Sequence, residues 1–136
     1  MSERVFFYGT LMTPFNRLGR HRVNSRLSFV GHGTIAAALF DLGIYPAAVP
    51  TNDGGTVAGE VYDMEDAPDV LAVLDEIEGY RPSEPECSLY TRVEVNITLE
   101  DGSRCPAWAY FYNAPLGRAQ RIASGDYLHH LNVNRA

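Results

Sequence analysis

Glu78 is a carboxylate set where the helical phase should bring an apolar side chain. It falls in "DAPDVLAVLDEIEGY", residues 66–80, which reads as a helix: Asp66 can cap its start, Pro68 suits the first turn and Gly79 the position just past the end. Side chains advance by about 100° per residue. Val70, Val73, Leu74 and Ile77 then cluster on the buried face, and Asp75 and Glu76 point away from it. Glu78 lies one turn after Leu74 and two after Leu71, on the margin of the apolar stripe and facing inward. The carbonyl end of the helix and partial burial both raise a carboxylate's proton affinity, which prepares it for general acid/base work near neutral pH. A glutamate that swings into water or bonds a nearby amide fits the same phase, and geometry leaves both open.

A second candidate feature stands near the amino terminus. In "RVFFYGTL" an apolar run breaks off into Tyr8-Gly9-Thr10-Leu11. A strand entering Gly9-Thr10-Leu11 can aim several backbone N–H groups at one point, a nest for a carboxylate or oxyanion, with the Thr10 hydroxyl as a further donor. A plain turn is the other reading.

Other chemistries lack their residues. His129 and His130 are adjacent and diverge, His21 and His32 have no ligand-spaced partner, and no Cys-x-x-Cys or His-Glu-x-x-His occurs, so no metal site is expected. No nucleophile elbow and no phosphate-binding glycine motif is present, and no cofactor is expected. The formal net charge of −6 offers phosphate backbones no attraction, and the basic residues are scattered apart from a modest cluster at 17–26. Nucleic acid is therefore not an expected partner. No apolar stretch has the length to cross a bilayer. Without a recognisable leader, Cys87 and Cys105 are read as free thiols of a cytoplasmic protein.

The elements that must position these residues are mostly strands. Val5 to Tyr8 is a short aromatic strand, ended by Gly9 through backbone geometry that other residues avoid. Residues 14–22 suit a short, weakly amphipathic helix. "LSFVGHGTIAAALFDLG" is strand-like, with Gly31, Gly33 and Gly43 marking bulges or turns, and "YPAAVP" is an extended or turn segment. "TNDGGTVAGEVYDM" opens on a turn and continues as a strand. The clearest hairpin is "LYTRVEVNITL", the turn "EDGS" and "RCPAWAYFY"; Leu89, Thr91, Val93, Val95 and Ile97 share one face, and Tyr90, Arg92 and Glu94 the other. "SGDYLHHL" begins a last short helix capped by Asp126. A chain of 136 residues suits a single domain, residues 1–136, with one core. The expected class is α+β, a small, mostly antiparallel β-barrel flanked by short helices.

Taken together, "VFFYGTLM", "LDEIEGY" and "LYTRVEV", in that order, resemble the γ-glutamylcyclotransferase-like family, which includes AIG2-like and γ-glutamylamine cyclotransferase proteins. The likeness runs from Val5 to about Tyr112, and "IASGDYL" is similar to bacterial members. The resemblance implies a mixed barrel of that family's fold. It implies that Tyr8, Gly9, Thr10 and Leu11 line the pocket and bind the substrate's carboxylate through backbone amides, and that Glu78 is the catalytic acid/base. Tyr90 and Tyr110 match family tyrosines that either donate hydroxyls to the bound glutamyl group or serve only as barrel tyrosines. Arg92, on the face of Tyr90, suits an ion-pair partner better than a substrate ligand. The implied reaction is an acyl transfer within one molecule: the α-amino group of a γ-glutamyl amide attacks its own γ-carbonyl, giving 5-oxoproline and a released amine or amino acid. The implied partner is thus a small-molecule γ-glutamyl substrate, and a homodimer stays open. The alternative is a barrel that keeps the pocket and acts as a weakly catalytic or non-catalytic regulatory binding module.

Overall fold

Among the described residues, the order of seven strands and two α-helices follows from where the chain can alternate, where it is apolar throughout, and where glycine lets backbones meet. The computed structural model describes residues 3–9, 12, 24–43 and 45–134. The helix expected at 14–22 lies outside them.

Strand β1 (Arg4–Phe7) is apolar on both faces because both are covered: Val5, Phe6 and Phe7 are all buried. It pairs antiparallel with β4 (Thr56–Met64) on one side and parallel with β6 (Arg104–Tyr112) on the other. Strand β2 (Leu27–Asp41) runs on through Gly31 and Gly33. Only a register shift between Phe29 and Gly31 marks a bulge, and Gly43 takes the turn with φ +102°. The length of β2 lets it serve two sheets. Its first two-thirds pair with β4, and its end pairs with β3 (Pro46–Pro50) and with β7 (Gln120–Arg121).

The hairpin of β5 (Tyr90–Leu99) and β6 keeps unbroken register from Tyr90 opposite Tyr112 to Thr98 opposite Arg104. Gly33 and Thr34 of β2 then meet Leu99 and Thr98 of β5, which closes a five-stranded barrel, β2-β4-β1-β6-β5. A Cβ on Gly33 would stand 2.6 Å from Ile97 Cγ2 and 3.0 Å from the Thr98 carbonyl, so the closure needs glycine there. The architecture is the α+β, mostly antiparallel mixed barrel, with β3 and β7 added outside the closed ring.

Helix α1 (Ala67–Glu78) follows Asp66, which has φ 56° and makes no capping bond through its side chain. Asp66 therefore does not cap as expected; its carbonyl instead accepts from the N–H groups of Asp69 and Val70. The buried face is Ala67, Val70, Leu71, Leu74 and Asp75. It is rotated toward Leu71 from the expected stripe, leaving Val73 and Ile77 half-buried. Helix α2 (Tyr127–Asn134) is capped by Asp126, whose Oδ1 accepts the His129 N–H at 3.1 Å, and His130 Nε2 lies 2.8 Å from Asp41 of β2. Cys87 and Cys105 are unpaired. Among the described residues no helix is long and apolar enough to cross a membrane.

Candidate functional site

Five separate pieces of chain converge on one cavity of about 150 Å³. The end of β1 and the residues after it give Phe6, Phe7, Tyr8 and Gly9; the start of β3 gives Pro46, with Tyr45 before it. The last turn of α1 gives Ile77 and Glu78, β5 gives Tyr90 with Leu89 before it, and β6 gives Tyr110. Exposure grades these residues into a floor and a rim. Phe6, Phe7, Tyr8, Tyr90 and Tyr110 are buried, whereas Glu78, Ile77, Gly9 and Tyr45 are half-buried and Leu89 is exposed.

The floor is fixed by tyrosine hydroxyls. Tyr8 Oη donates to the Tyr110 carbonyl at 2.6 Å and accepts the Ala48 N–H at 3.3 Å. Tyr90 Oη donates to the Pro46 carbonyl at 3.0 Å, and Tyr110 Oη donates to Asp75 Oδ1 at 2.7 Å. With those protons given to protein acceptors, the oxygens of Tyr90 and Tyr110 keep only acceptor capacity. Burial pushes all three phenols far above their usual range, and the negative charge of Glu78 adds to the shift of each. For Tyr110 the bond to Asp75 is the next cause after burial.

Glu78 is held there by the way α1 stops. Gly79 takes φ 67°, ψ 35°, its N–H reaches the Glu76 carbonyl at 3.3 Å, and the Tyr80 N–H reaches the Asp75 carbonyl at 2.8 Å. This paired closure makes Glu78 the last residue of the helix. Among the described residues Glu78 is the one carboxylate on the cavity wall.

Two neighbours differ from their sequence readings. Asp75 does not point away: it is only 7% exposed, and Arg92 binds it through Nε at 2.8 Å and Nη2 at 3.3 Å. Helical phase sets Asp75 on the margin of the buried arc once that arc is centred on Leu71 and Leu74, and a buried carboxylate needs the paired cation it finds in Arg92. The ion-pair role read for Arg92 is the one it has. Gly9 is not among the glycines with positive φ. It is needed for closeness, because a Cβ would stand 2.9 Å from Pro46 Cγ. The Met12 N–H bonds the Gly9 carbonyl at 3.1 Å. Thr10 and Leu11 lie outside the described residues.

With this cavity in view, comparison with known proteins is decisive. The family model described as "Gamma-glutamyl cyclotransferase, AIG2-like" matches residues 5–129. The chain belongs to the AIG2-like γ-glutamylcyclotransferase family. Within that family, a relative from Halalkalibacterium halodurans is 40% identical over 106 residues, covering 77% of this chain and 85% of its own. The gamma-glutamylcyclotransferase family protein YtfP of Escherichia coli is 34% identical over 126 residues, covering 92% of this chain and 96% of its own. The solution structure of YtfP matches with a TM-score of 0.66 over 93% of this chain and 97% of that one, at 33% identity. YkqA of Bacillus subtilis, 23% identical, shares the fold with a TM-score of 0.73; its match covers 99% of this chain and 43% of YkqA. Of the residues expected from the resemblance, Tyr8, Gly9, Glu78, Tyr90 and Tyr110 line this cavity together. Sequence reading missed Pro46 and Asp75, which touch the site through partners distant in the chain.

Proposed function

We propose that this protein cyclises the γ-glutamyl group of a γ-glutamyl amide to 5-oxoproline and releases an amine or amino acid, with Glu78 as general acid/base. A cavity of about 150 Å³ is small against the several hundred Å³ of a typical whole-ligand pocket. It suits a glutamyl group, with the leaving group extending past the rim at Tyr45, Ile77 and Leu89.

The substrate's α-amino group is protonated at neutral pH and must lose that proton to become a nucleophile. Glu78 takes the proton, the amine nitrogen attacks the γ-carbonyl, and a tetrahedral oxyanion forms. As the C–N bond to the leaving amine breaks, Glu78 returns the proton to that nitrogen and takes the second proton still carried by the ring nitrogen, which passes to the released amine or to water, so that a neutral lactam is left. Nucleophile and electrophile belong to one molecule, so no covalent enzyme intermediate is needed and the remaining task is to hold the chain curled. The role the resemblance implies for Gly9, Thr10 and Leu11 is to hold the α-carboxylate through backbone N–H groups. The rings of Tyr90 and Tyr110 wall the glutamyl chain, and the Tyr90 oxygen accepts from its amino group.

The observation that carries this reading is that Glu78 is, among the described residues, the one carboxylate on the wall of a tyrosine-floored cavity. The test is 5-oxoproline release from a panel of γ-glutamyl amino acids, peptides and amines by the wild type and Glu78→Gln. Turnover by the wild type that falls at least about 100-fold in the variant is expected, the range of a lost acid/base group. Equal turnover by both refutes the role of Glu78. No release from any member, with glutamate-like ligands still bound, leaves a binding module instead.

A further inference from the structure

Three residues before Glu78, the same helix carries a second carboxylate that the proposed reaction does not use. Asp75 is buried and faces the β5–β6 hairpin, where Arg92 binds it with two nitrogens and Tyr110 Oη shares its Oδ1 at 2.7 Å. The Arg92 guanidinium is itself held by rings, 4.5 Å from the centroid of Trp108 and 5.6 Å from that of Tyr80. Tyr80 returns to the same residue, since its N–H donates to the Asp75 carbonyl. Asp75 is thus tied at both its side chain and its backbone, and the ties enclose the turn that ends in Glu78.

We propose that Asp75, Arg92 and Tyr110 are positioning residues that set the depth and angle of the Glu78 carboxylate in the cavity; the inference rests on the reaction proposed above. For stability alone the arrangement is a poor choice, because apolar side chains of similar volume hold a buried contact at least as well as an ion pair. Directional bonds add a fixed geometry. Tyr110 carries that geometry into the floor of the site: its hydroxyl holds Asp75, its ring lines the cavity, and its carbonyl accepts the hydroxyl of Tyr8, which follows the neighbouring strand β1. Moving the end of α1 therefore moves the base relative to a floor that the substrate touches.

The experiment compares Asp75→Asn and Tyr110→Phe with the wild type in 5-oxoproline release, at a temperature where circular dichroism shows each folded. Asparagine keeps the volume of Asp75 and an acceptor for Tyr110 but weakens the grip of Arg92. The expected result for Asp75→Asn is a kcat lowered about 10- to 100-fold with KM changed less than about threefold, since a displacement near 1 Å costs about 100-fold. Tyr110→Phe should follow with a smaller fall in kcat, and it carries the test if Asp75→Asn does not fold. Wild-type kcat in the folded variants, or a raised KM with kcat unchanged, overturns the inference. A wild type that releases nothing defeats the proposed function, and the clamp is then judged by crystal structures of the wild type and Asp75→Asn. A Glu78 carboxylate shifted by about 1 Å or more upholds it, and one left in place overturns it.

Discussion

Replacing Gly79 with alanine should loosen the end of α1 without disturbing the core. Gly79 is exposed, and a Cβ built on it would meet only Leu89 Cβ, at 3.4 Å, an ordinary contact. The cost comes from the backbone: φ is +67°, a conformation that charges an alanine about 1–2 kcal/mol. For a chain of 136 residues the unfolding entropy near the midpoint is about 0.29 kcal/mol/K, so the melting temperature should fall by about 3–7 °C. Asparagine tolerates the left-handed region better, and Gly79→Asn should lose no more than about half as much. Because the residue before Gly79 is Glu78, any refolding of the cap to a right-handed conformation redirects that side chain, and 5-oxoproline release should fall more steeply than stability does. Thermal melts by circular dichroism and kinetics on both variants test this together. An unchanged melting temperature in Gly79→Ala, or equal losses in alanine and asparagine, would refute the cap as the device that ends the helix.

Alkaline unfolding and the second helix offer independent tests. Tyr8, Tyr90 and Tyr110 are raised above the ordinary phenol value of 10.0, so the folded protein keeps protons that the unfolded chain releases. Their contribution is intact below about pH 10 and is lost above it by about 1.4 kcal/mol per pH unit for each phenol, about 4 for the three. Phenolate absorbance from these three should therefore appear only with unfolding, and a smooth titration of all eight tyrosines in folded protein would contradict their burial. Asp41 is held below the usual carboxylate range, first by His130 and then by the Gly43 N–H. A lowered value stabilises the fold above about pH 4 and loses that effect as pH falls through it. Asp41→Asn should cost no more than about 1 kcal/mol at pH 7, since the pair is partly exposed, with the difference vanishing in acid; a difference that grows toward low pH would refute the pairing.

What the sequence made legible were the parts governed by near neighbours. The β5–β6 hairpin showed as alternation around "EDGS", and α1 showed by periodicity with Gly79 as its stop. Glu78 was found because helical phase is arithmetic, and the same arithmetic misjudged Asp75 once the apolar arc was centred on Val73 and Ile77 instead of Leu71. Long-range partners account for the rest. Nothing local to Asp75 announces Arg92, and nothing local to Gly9 announces Pro46; each is explained by a contact made only when the barrel closes. Asp66 fails as a side-chain cap because its own backbone is left-handed, which composition does not reveal. The continuity of β2 through Gly31 and Gly33 likewise depends on β4 and β5 lying beside it.

The place of β1 also governs the order in which this protein can assemble. Val5 pairs with Tyr62 of β4 and, on its other side, in parallel with Trp108 of β6, so β1 completes its pairing only once β6 has been made. A pairing of such high sequence separation slows folding, because a long loop must be closed before any contact rewards it. During synthesis the apolar "VFFY" leaves the ribosome several seconds before β6 exists. It emerges as an apolar segment with no sheet yet to enter. The same delay makes the cavity an all-or-nothing product: its floor joins β1, β5 and β6, so a chain truncated before the hairpin holds Glu78 on a helix with no pocket to serve.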